Sequence, residues 1–334
     1  MALTRYQILE RLRQTPDEVV SGGELAEQLG ISRTAVWKNM ASLQEEGYQI
    51  ETAANKGYRY LGGEVYSGYE VQRRLDTQVV GRELYFLEEI DSTNSYIRQK
   101  AQEGAPGGAV AIARKQTVGR GRLARKFESP PNAGVYLTIL LRPEISVGEL
   151  NLVTLLAAVA AADTVAELSG VCPGIKWTND LFMGGKKICG ILTECSVSGE
   201  NGAVDYAAVG IGMNLLQKEE DFPEELREIA GSVYMGSGVR VSPADYAACL
   251  CRNFERYFYQ GKFPQNREEI LRKYREKLFF LGQTVQVCGL REQYPAVALD
   301  VDGEGRLLVR REDGSIAALN SGEISIRPVK WQQI

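Results

Sequence analysis

The sequence contains no histidine. That absence removes Ser-His and Cys-His nucleophilic schemes and the imidazole ligands that transition-metal sites usually need. The six cysteines, Cys172, Cys189, Cys195, Cys249, Cys251 and Cys288, form no C-x-x-C pair and no zinc spacing, so they read as reduced thiols. Charge of one sign is also lacking. Lys+Arg number 39 and Asp+Glu 43, a net −4, and composition alone names no nucleic-acid partner. Long apolar runs are missing. The longest, Leu150–Ala162, is interrupted by Asn151 and Thr154 and is too short to span a bilayer. The amino terminus, MALTRYQILERLRQ, is charged and amphipathic, unlike a signal peptide. These lacks predict a cytoplasmic protein with no membrane partner. Any catalysis must use Lys, Arg, carboxylates or backbone groups.

A length of 334 residues suggests two or three domains. In the first sixty residues, Ile8, Leu9 and Leu12 sit at helical spacing. Ser21 and Glu24 suit a capping box opening a helix that Gly30 ends. Ser32 can cap a second helix through Glu46, with Val36, Met40 and Leu43 inward. The alternating stretch Tyr48–Tyr60, around Asn55-Lys56-Gly57, reads as a hairpin. Helix, turn, helix and hairpin make a winged helix-turn-helix over 1–63, with Leu61-Gly62-Gly63 as linker. Residues 64–280 read as mixed α+β, with a buried helix over Leu150–Leu168. Short strands divided by Asp302-Gly303, Asp313-Gly314 and Ser321-Gly322 predict a small β-barrel over 281–334.

Chemistry concentrates in 114–126, Arg-Lys-Gln-Thr-Val-Gly-Arg-Gly-Arg-Leu-Ala-Arg-Lys. Six residues there are basic and none acidic. Such a segment repels itself until an anion arrives. Gly119 and Gly121 let backbone approach a ligand. Arg120, Arg122 and Arg125 offer forked donors for phosphate or carboxylate. Gly119–Ala124 matches the dinucleotide pattern G-x-G-x-x-G/A, but no helix pattern follows it, which excludes that reading. Further on, Lys176-Trp177-Thr178-Asn179-Asp180 brackets an aromatic and an amide with charge. Lys187 precedes the apolar strand containing Gly190, and Gly210-Ile-Gly212-Met-Asn214 ends another strand. Ser92, Thr93 and Asn94 stand where a strand feeds a helix N-terminus, a place suited to a polar ligand head.

Together GRGR at 119–122, KWTND at 176–180, KICGIL at 187–192, GIGMN at 210–214 and DSTN at 91–94 resemble the biotin–protein ligases. They are similar in particular to the bifunctional ligase and biotin operon repressors, over nearly the whole chain. The resemblance implies a central α/β biotin/lipoate-ligase-type catalytic domain followed by an SH3-like barrel. It implies that biotin and ATP with Mg2+ form biotinyl-5′-AMP, and that the biotinyl group passes to a lysine of a biotin carboxyl carrier protein. Lys187, Lys176, Arg120 and Arg122 would be catalytic. Ser92, Thr93, Asn94, Gln116, Gly119, Arg120, Gly121, Arg122, Lys187 and Gly190 would hold biotin and its adenylate. Trp177, Asn179, Asp180 and Asn214 would lie near the nucleotide. No fixed protein metal site is expected. Two departures stand out: Ala124 and Phe127 replace Gly and Trp in the loop, and Thr178 replaces Pro in KWPND. A biotin sensor with little ligase activity and a lipoate–protein ligase are the alternatives.

The same resemblance implies that biotinyl-5′-AMP is also a corepressor, promoting a homodimer that binds operator DNA. Residues 1–63 hold seven Lys/Arg and eight Asp/Glu, an unusual balance for a DNA binder. Placement compensates. Arg33, Thr34, Trp37, Lys38 and Asn39 lie on the second helix, which enters the major groove in this fold, and Lys56 lies on the wing. Trp37 could be core or DNA-facing.

Overall fold

A computed structural model describes residues 4–16, 18–53, 56–122, 126–198, 203–289, 293–320 and 325–328. They fall into two compact units, Met1–Glu70 and Val71–Ile334.

In the first unit, helices α1 (Thr4–Gln14), α2 (Gly22–Leu29) and α3 (Arg33–Glu45) precede strands β1 (Gln49–Ala53) and β2 (Gly57–Gly62). Ile8, Leu9, Leu12, Leu25, Val36, Met40 and Leu43 form one core, the stripe their helical spacing predicts. Ser32 accepts from the Ala35 N–H and caps α3. Ser21 caps α2 through the Glu24 N–H, but the capping box is only half made. The Glu24 carboxylate instead takes Arg11 and Gln28. Gly30 ends α2 at φ 64°. β1 and β2 pair antiparallel as the wing. Asn55 lies outside the described residues. β2 runs through Gly62, so the segment read as linker begins inside a strand.

The second unit is built on a seven-stranded mixed sheet. Helix α4 (Gly68–Arg74) leads to β3 (Leu84–Ile90), α5 (Thr93–Gln102), β4 (Val110–Gln116) and β5 (Gly134–Leu141). Then come α6 (Leu150–Ser169), β6 (Gly174–Lys176), β7 (Asp180–Met183), β8 (Lys186–Ser198) and β9 (Ala203–Asn214). The sheet order is β3-β4-β5-β9-β8-β7-β6, parallel only between β3 and β4. Sequence patterning missed β7, which is four residues long and follows a polar turn.

Side-chain alternation fixes the layers. On β8, Thr193 meets Thr154 of α6 at 2.8 Å, whereas Glu194 takes Asn94 and Arg98 of α5. Neighbouring residues of a strand face opposite ways, so α5 and α6 cover opposite faces. On the α6 side, Leu137, Ile139, Val209, Ile211 and Met213 are buried at or near zero exposure. Val147–Ser169 has the length and apolar composition of a membrane span, more than the interrupted run in the sequence suggested, but 78% of its apolar window is buried inside the protein. It is a core helix.

Helix α7 (Val233–Ser237), α8 (Pro243–Glu255) and α9 (Arg267–Lys277) complete the helical layer. After Glu255 the helical run changes to a π-helical turn at Arg256–Gln260. Strands β10 (Thr284–Cys288), β11 (Gln293–Val301), β12 (Leu307–Arg310), β13 (Ile316–Leu319) and β14 (Ser325–Pro328) form the antiparallel tail, ordered β13-β12-β11-β10-β14. The Ser321-Gly322 turn lies outside the described residues.

Candidate active site

The helix α5 covers only part of its sheet face. Beyond its N-terminus, register places Gly190 beside Gly212 and Leu192 beside Gly210, with Gly212 opposite Tyr136 and Gly210 opposite Thr138. Three glycines on one face leave a trough. The ring of Phe127 lies in it: a Cβ on Gly212 would stand 2.7 Å from Phe127 Cε1, and one on Gly190 3.4 Å from Phe127 Cε2. Phe127 also meets Tyr136 edge-on. Its N–H donates to the Gly119 carbonyl at 2.9 Å, and Arg120 bridges to Lys126, so the basic segment folds back over the trough. Leu123, Ala124 and Arg125 lie outside the described residues.

One end of the trough is polar. Ser92 caps nothing with its side chain, although it starts α5. The Thr93 N–H and hydroxyl both approach Gln116 Oε1, at 2.9 and 3.1 Å, and Gln116 Nε2 donates to Ser129. The Thr138 hydroxyl lies 2.8 Å from Thr93 Oγ1 and 2.7 Å from Asn94 Oδ1. Asn94 Nδ2 donates to Glu194 and to the Leu192 carbonyl. Ser92, Thr93 and Asn94 are all buried. A ligand head reaching this end meets hydroxyls and amides already oriented by neighbours.

The other end is cationic. Lys187 Nζ stands 2.6 Å from Asp180 Oδ1 and against the Gly190 position. Arg122 donates to Asn179 Oδ1 at 3.0 Å and to the Thr178 hydroxyl at 3.3 Å. Asn179 Nδ2 in turn holds the Ile191 carbonyl. Lys176 pairs across from Asp180, with its ammonium 5.6 Å from the Phe182 ring centroid. Arg120 is exposed. The structure thus gathers Arg122, Asn179, Asp180 and Lys187 closely. The Trp177 indole donates to the Gly305 carbonyl in the tail. Asn214 is buried, with its amide engaged by Gly231 and Gln217. The Cys189 thiol, beneath the trough, is pushed well up by complete burial and is no nucleophile.

The sequence reading missed Thr138, Glu194 and Gln217. Thr138 carried a signal, being the one hydroxyl in the otherwise apolar pattern Val135–Leu141 once Tyr136 is set aside. The other two acquire meaning only through register.

In the amino-terminal unit, Arg33, Thr34, Trp37 and Lys38 of α3 are exposed, and Lys56 is exposed as well. Trp37 is 62% exposed, which decides against a core role. Asn39 is half-buried and donates back to the Ala35 carbonyl.

Three family models match this chain: an HTH domain over 4–59, the Biotin/lipoate A/B protein ligase family over 86–214, and a Biotin protein ligase C terminal domain over 280–327. The bifunctional ligase/repressor BirA of Bacillus subtilis is 34% identical over 324 residues, 96% of this chain and 98% of its own. The chain belongs to the bifunctional biotin ligase/repressor family. The Escherichia coli member is 28% identical over 93% of this chain and 94% of its own. The biotin protein ligase of Aquifex aeolicus, solved with biotin and ATP, shares the fold at TM-score 0.61 and 27% identity, covering 74% of this chain and 99% of that one. In this member of the ligase/repressor family the Phe127 ring packs on the trough glycines. Thr178, in place of proline, follows a cis peptide bond and offers Arg122 a hydroxyl.

Proposed function

We propose that this chain joins biotin to ATP, giving biotinyl-5′-AMP and pyrophosphate, then passes the biotinyl group to a lysine of a biotin carboxyl carrier protein or domain. The observation that supports this most strongly is full-length relatedness to bifunctional ligase/repressors, carried together with a glycine trough that has a hydroxyl end and a cationic end. The carboxylate of biotin must attack the α-phosphate, so two anions have to meet. Such a step needs cations placed where negative charge gathers, and reactants held in line. In this reading Ser92, Thr93, Asn94, Gln116 and the backbone of Gly119–Gly121 take the ureido head. Gly190 floors the trough. Lys187, Lys176, Arg120 and Arg122 supply charge to the carboxylate and phosphate. Trp177, Asn179, Asp180 and Asn214 border the nucleotide. Magnesium arrives with ATP as part of the substrate. Among the described residues no cluster of three or more acidic, Cys or His side chains could hold a metal ion.

The reading divides the chain into a DNA-binding domain over 1–63, a catalytic domain over 64–280 and a small barrel over 281–334. Arg33, Thr34, Trp37, Lys38, Asn39 and Lys56 would contact operator DNA. The adenylate would act as corepressor and favour a homodimer, within the cytoplasm. Intact-mass analysis of a carrier domain after incubation with biotin, ATP and this chain tests the ligase reading. An added biotinyl mass is expected. No added mass, or a lipoyl mass when both acids are offered, overturns it.

A further inference from the structure

The connection after β9 leaves the sheet and returns to it beside the cationic end. Leu215 and Leu216 donate to the Ala133 carbonyl, and Tyr234 donates back to Leu215. Between these anchors the chain adds a short parallel bridge to Lys187: Lys187 N–H donates to the Ile229 carbonyl at 2.8 Å, and Gly231 N–H donates to the Lys187 carbonyl at 2.9 Å. Gly231 is shared, because its own carbonyl accepts from Asn214 Nδ2 at 3.0 Å. That bond decides which way the Asn214 amide faces. With Nδ2 turned to Gly231, Oδ1 must accept, and Gln217 Nε2 donates to it at 3.1 Å. Gln217 is completely buried, Ser232 donates to its carbonyl at 2.6 Å, and its own Oε1 has no hydrogen-bond partner. A buried orphan acceptor is costly. The fold tolerates it and keeps an amide here, where an apolar side chain of similar size would avoid the cost.

We propose that Gln217 is a positioning residue: it sets the Asn214 amide for the nucleotide and, through Gly231, ties that setting to the backbone of Lys187. The inference rests on the ligase reading above, in which Asn214 borders the nucleotide and Lys187 meets the carboxylate. Gln217 touches neither substrate. It acts because an amide is directional, with donor and acceptor ends that cannot be exchanged without opposing like groups at Gly231.

Directionality gives the test. Biotin-dependent ATP–pyrophosphate exchange is measured on the full chain and on Gln217→Leu and Gln217→Glu, with biotin affinity measured separately without ATP. Gln217→Leu loses the donor and also the orphan oxygen. It is expected to raise KM for ATP about five- to tenfold, the size of one neutral hydrogen bond, with biotin affinity within twofold. Gln217→Glu sets carboxylate oxygen against Asn214 Oδ1 and is expected to raise KM further. Its KM should fall back toward that of Gln217→Leu as pH drops and the protonated carboxyl becomes a donor. Exchange by the unaltered chain is the control: its absence refutes the ligase reading itself. If the unaltered chain exchanges but Gln217→Leu equals or exceeds Gln217→Glu in KM, the positioning role is wrong. A Gln217→Glu defect that ignores pH, or equal losses of biotin and ATP binding, also overturns it, since a merely structural role would produce those results.

Discussion

A methyl at position 210 would land 2.2 Å from Asn94 Oδ1, 2.9 Å from its Cγ and 3.2 Å from its Nδ2. Neither side can yield cheaply. Gly210 lies in the middle of β9, paired on both edges with β5 and β8. Asn94 is held by Thr138, Glu194 and the Leu192 carbonyl. Overpacking a rigid core site costs about 1–3 kcal/mol. Expelling Asn94 also forfeits its bond to the Glu194 carboxylate, about 1.5–3 kcal/mol for a charged partner. The two costs overlap, so Gly210→Ala should destabilise the larger unit by about 3–5 kcal/mol. At ~2–4 °C per kcal/mol for a unit of this size, its thermal midpoint should fall by roughly 6–20 °C. Calorimetry on the full chain would read this transition. Asn94→Ala alone should cost less, about 1–3 kcal/mol from unpaired neighbours. The decisive measurement is the double variant. With Asn94 already truncated the added methyl has room, so Gly210→Ala/Asn94→Ala should be no less stable than Asn94→Ala. Additive losses would refute the steric account, because coupling of a few kcal/mol is its necessary consequence.

Lys187→Ala should lower biotin-dependent pyrophosphate exchange by at least about a hundredfold, as loss of one well-placed charge does, while circular dichroism stays unchanged; normal exchange would remove Lys187 from the site. The Glu255 carboxylate, 2% exposed, is pushed up by burial but brought lower overall by the N–H groups of Gln78, Val79 and Val80 at 2.7–2.8 Å. Its folded pKa lies below its unfolded one, so its stabilisation is complete above about pH 4.3, the ordinary glutamate value, and fades as pH falls through the folded value. The urea midpoint of Glu255→Gln should therefore differ most from wild type near neutrality and converge with it in acid; a constant gap would contradict the assignment. For DNA, Lys38→Ala should weaken binding to the chain's own upstream region and reduce the salt slope by about one. In the same gel-shift experiment, binding that ignores biotin and ATP would contradict the corepressor reading.

The sequence made local features legible where physics is local. Helix spacing, the caps at Ser21 and Ser32, and the stop at Gly30 need only near neighbours, and the structure reproduces them. The motifs of the site were legible as a set because each sits at a strand end. What the chain did not reveal is pairing. Gly190, Gly210 and Gly212 become a trough only when β8 and β9 align, and Phe127 fills it only because the basic segment doubles back. Strand alternation turns Glu194 toward α5, where it meets Asn94 and Arg98. The indole N–H of Trp177 finds its partner in a carbonyl 128 residues away. Such partners cannot be inferred from spacing along one strand.

That indole bond has a wider consequence. Asn179 and Asp180 sit on the turn and strand that Trp177 opens, and Trp177 is 3% exposed with Gly305 as its N–H partner. Asn151 donates to the same Gly305 carbonyl, and Arg275 donates to that of Val301. In the ligase reading the tail supplies none of the reacting groups, yet it holds Trp177, the neighbour of residues that border the nucleotide in that reading. Sequence patterning suggests separable beads, and a cut near residue 280 looks harmless on that view. It would instead strand the buried Trp177 indole N–H, and on the ligase reading such a truncation is expected to weaken ATP binding through the turn carrying Asn179.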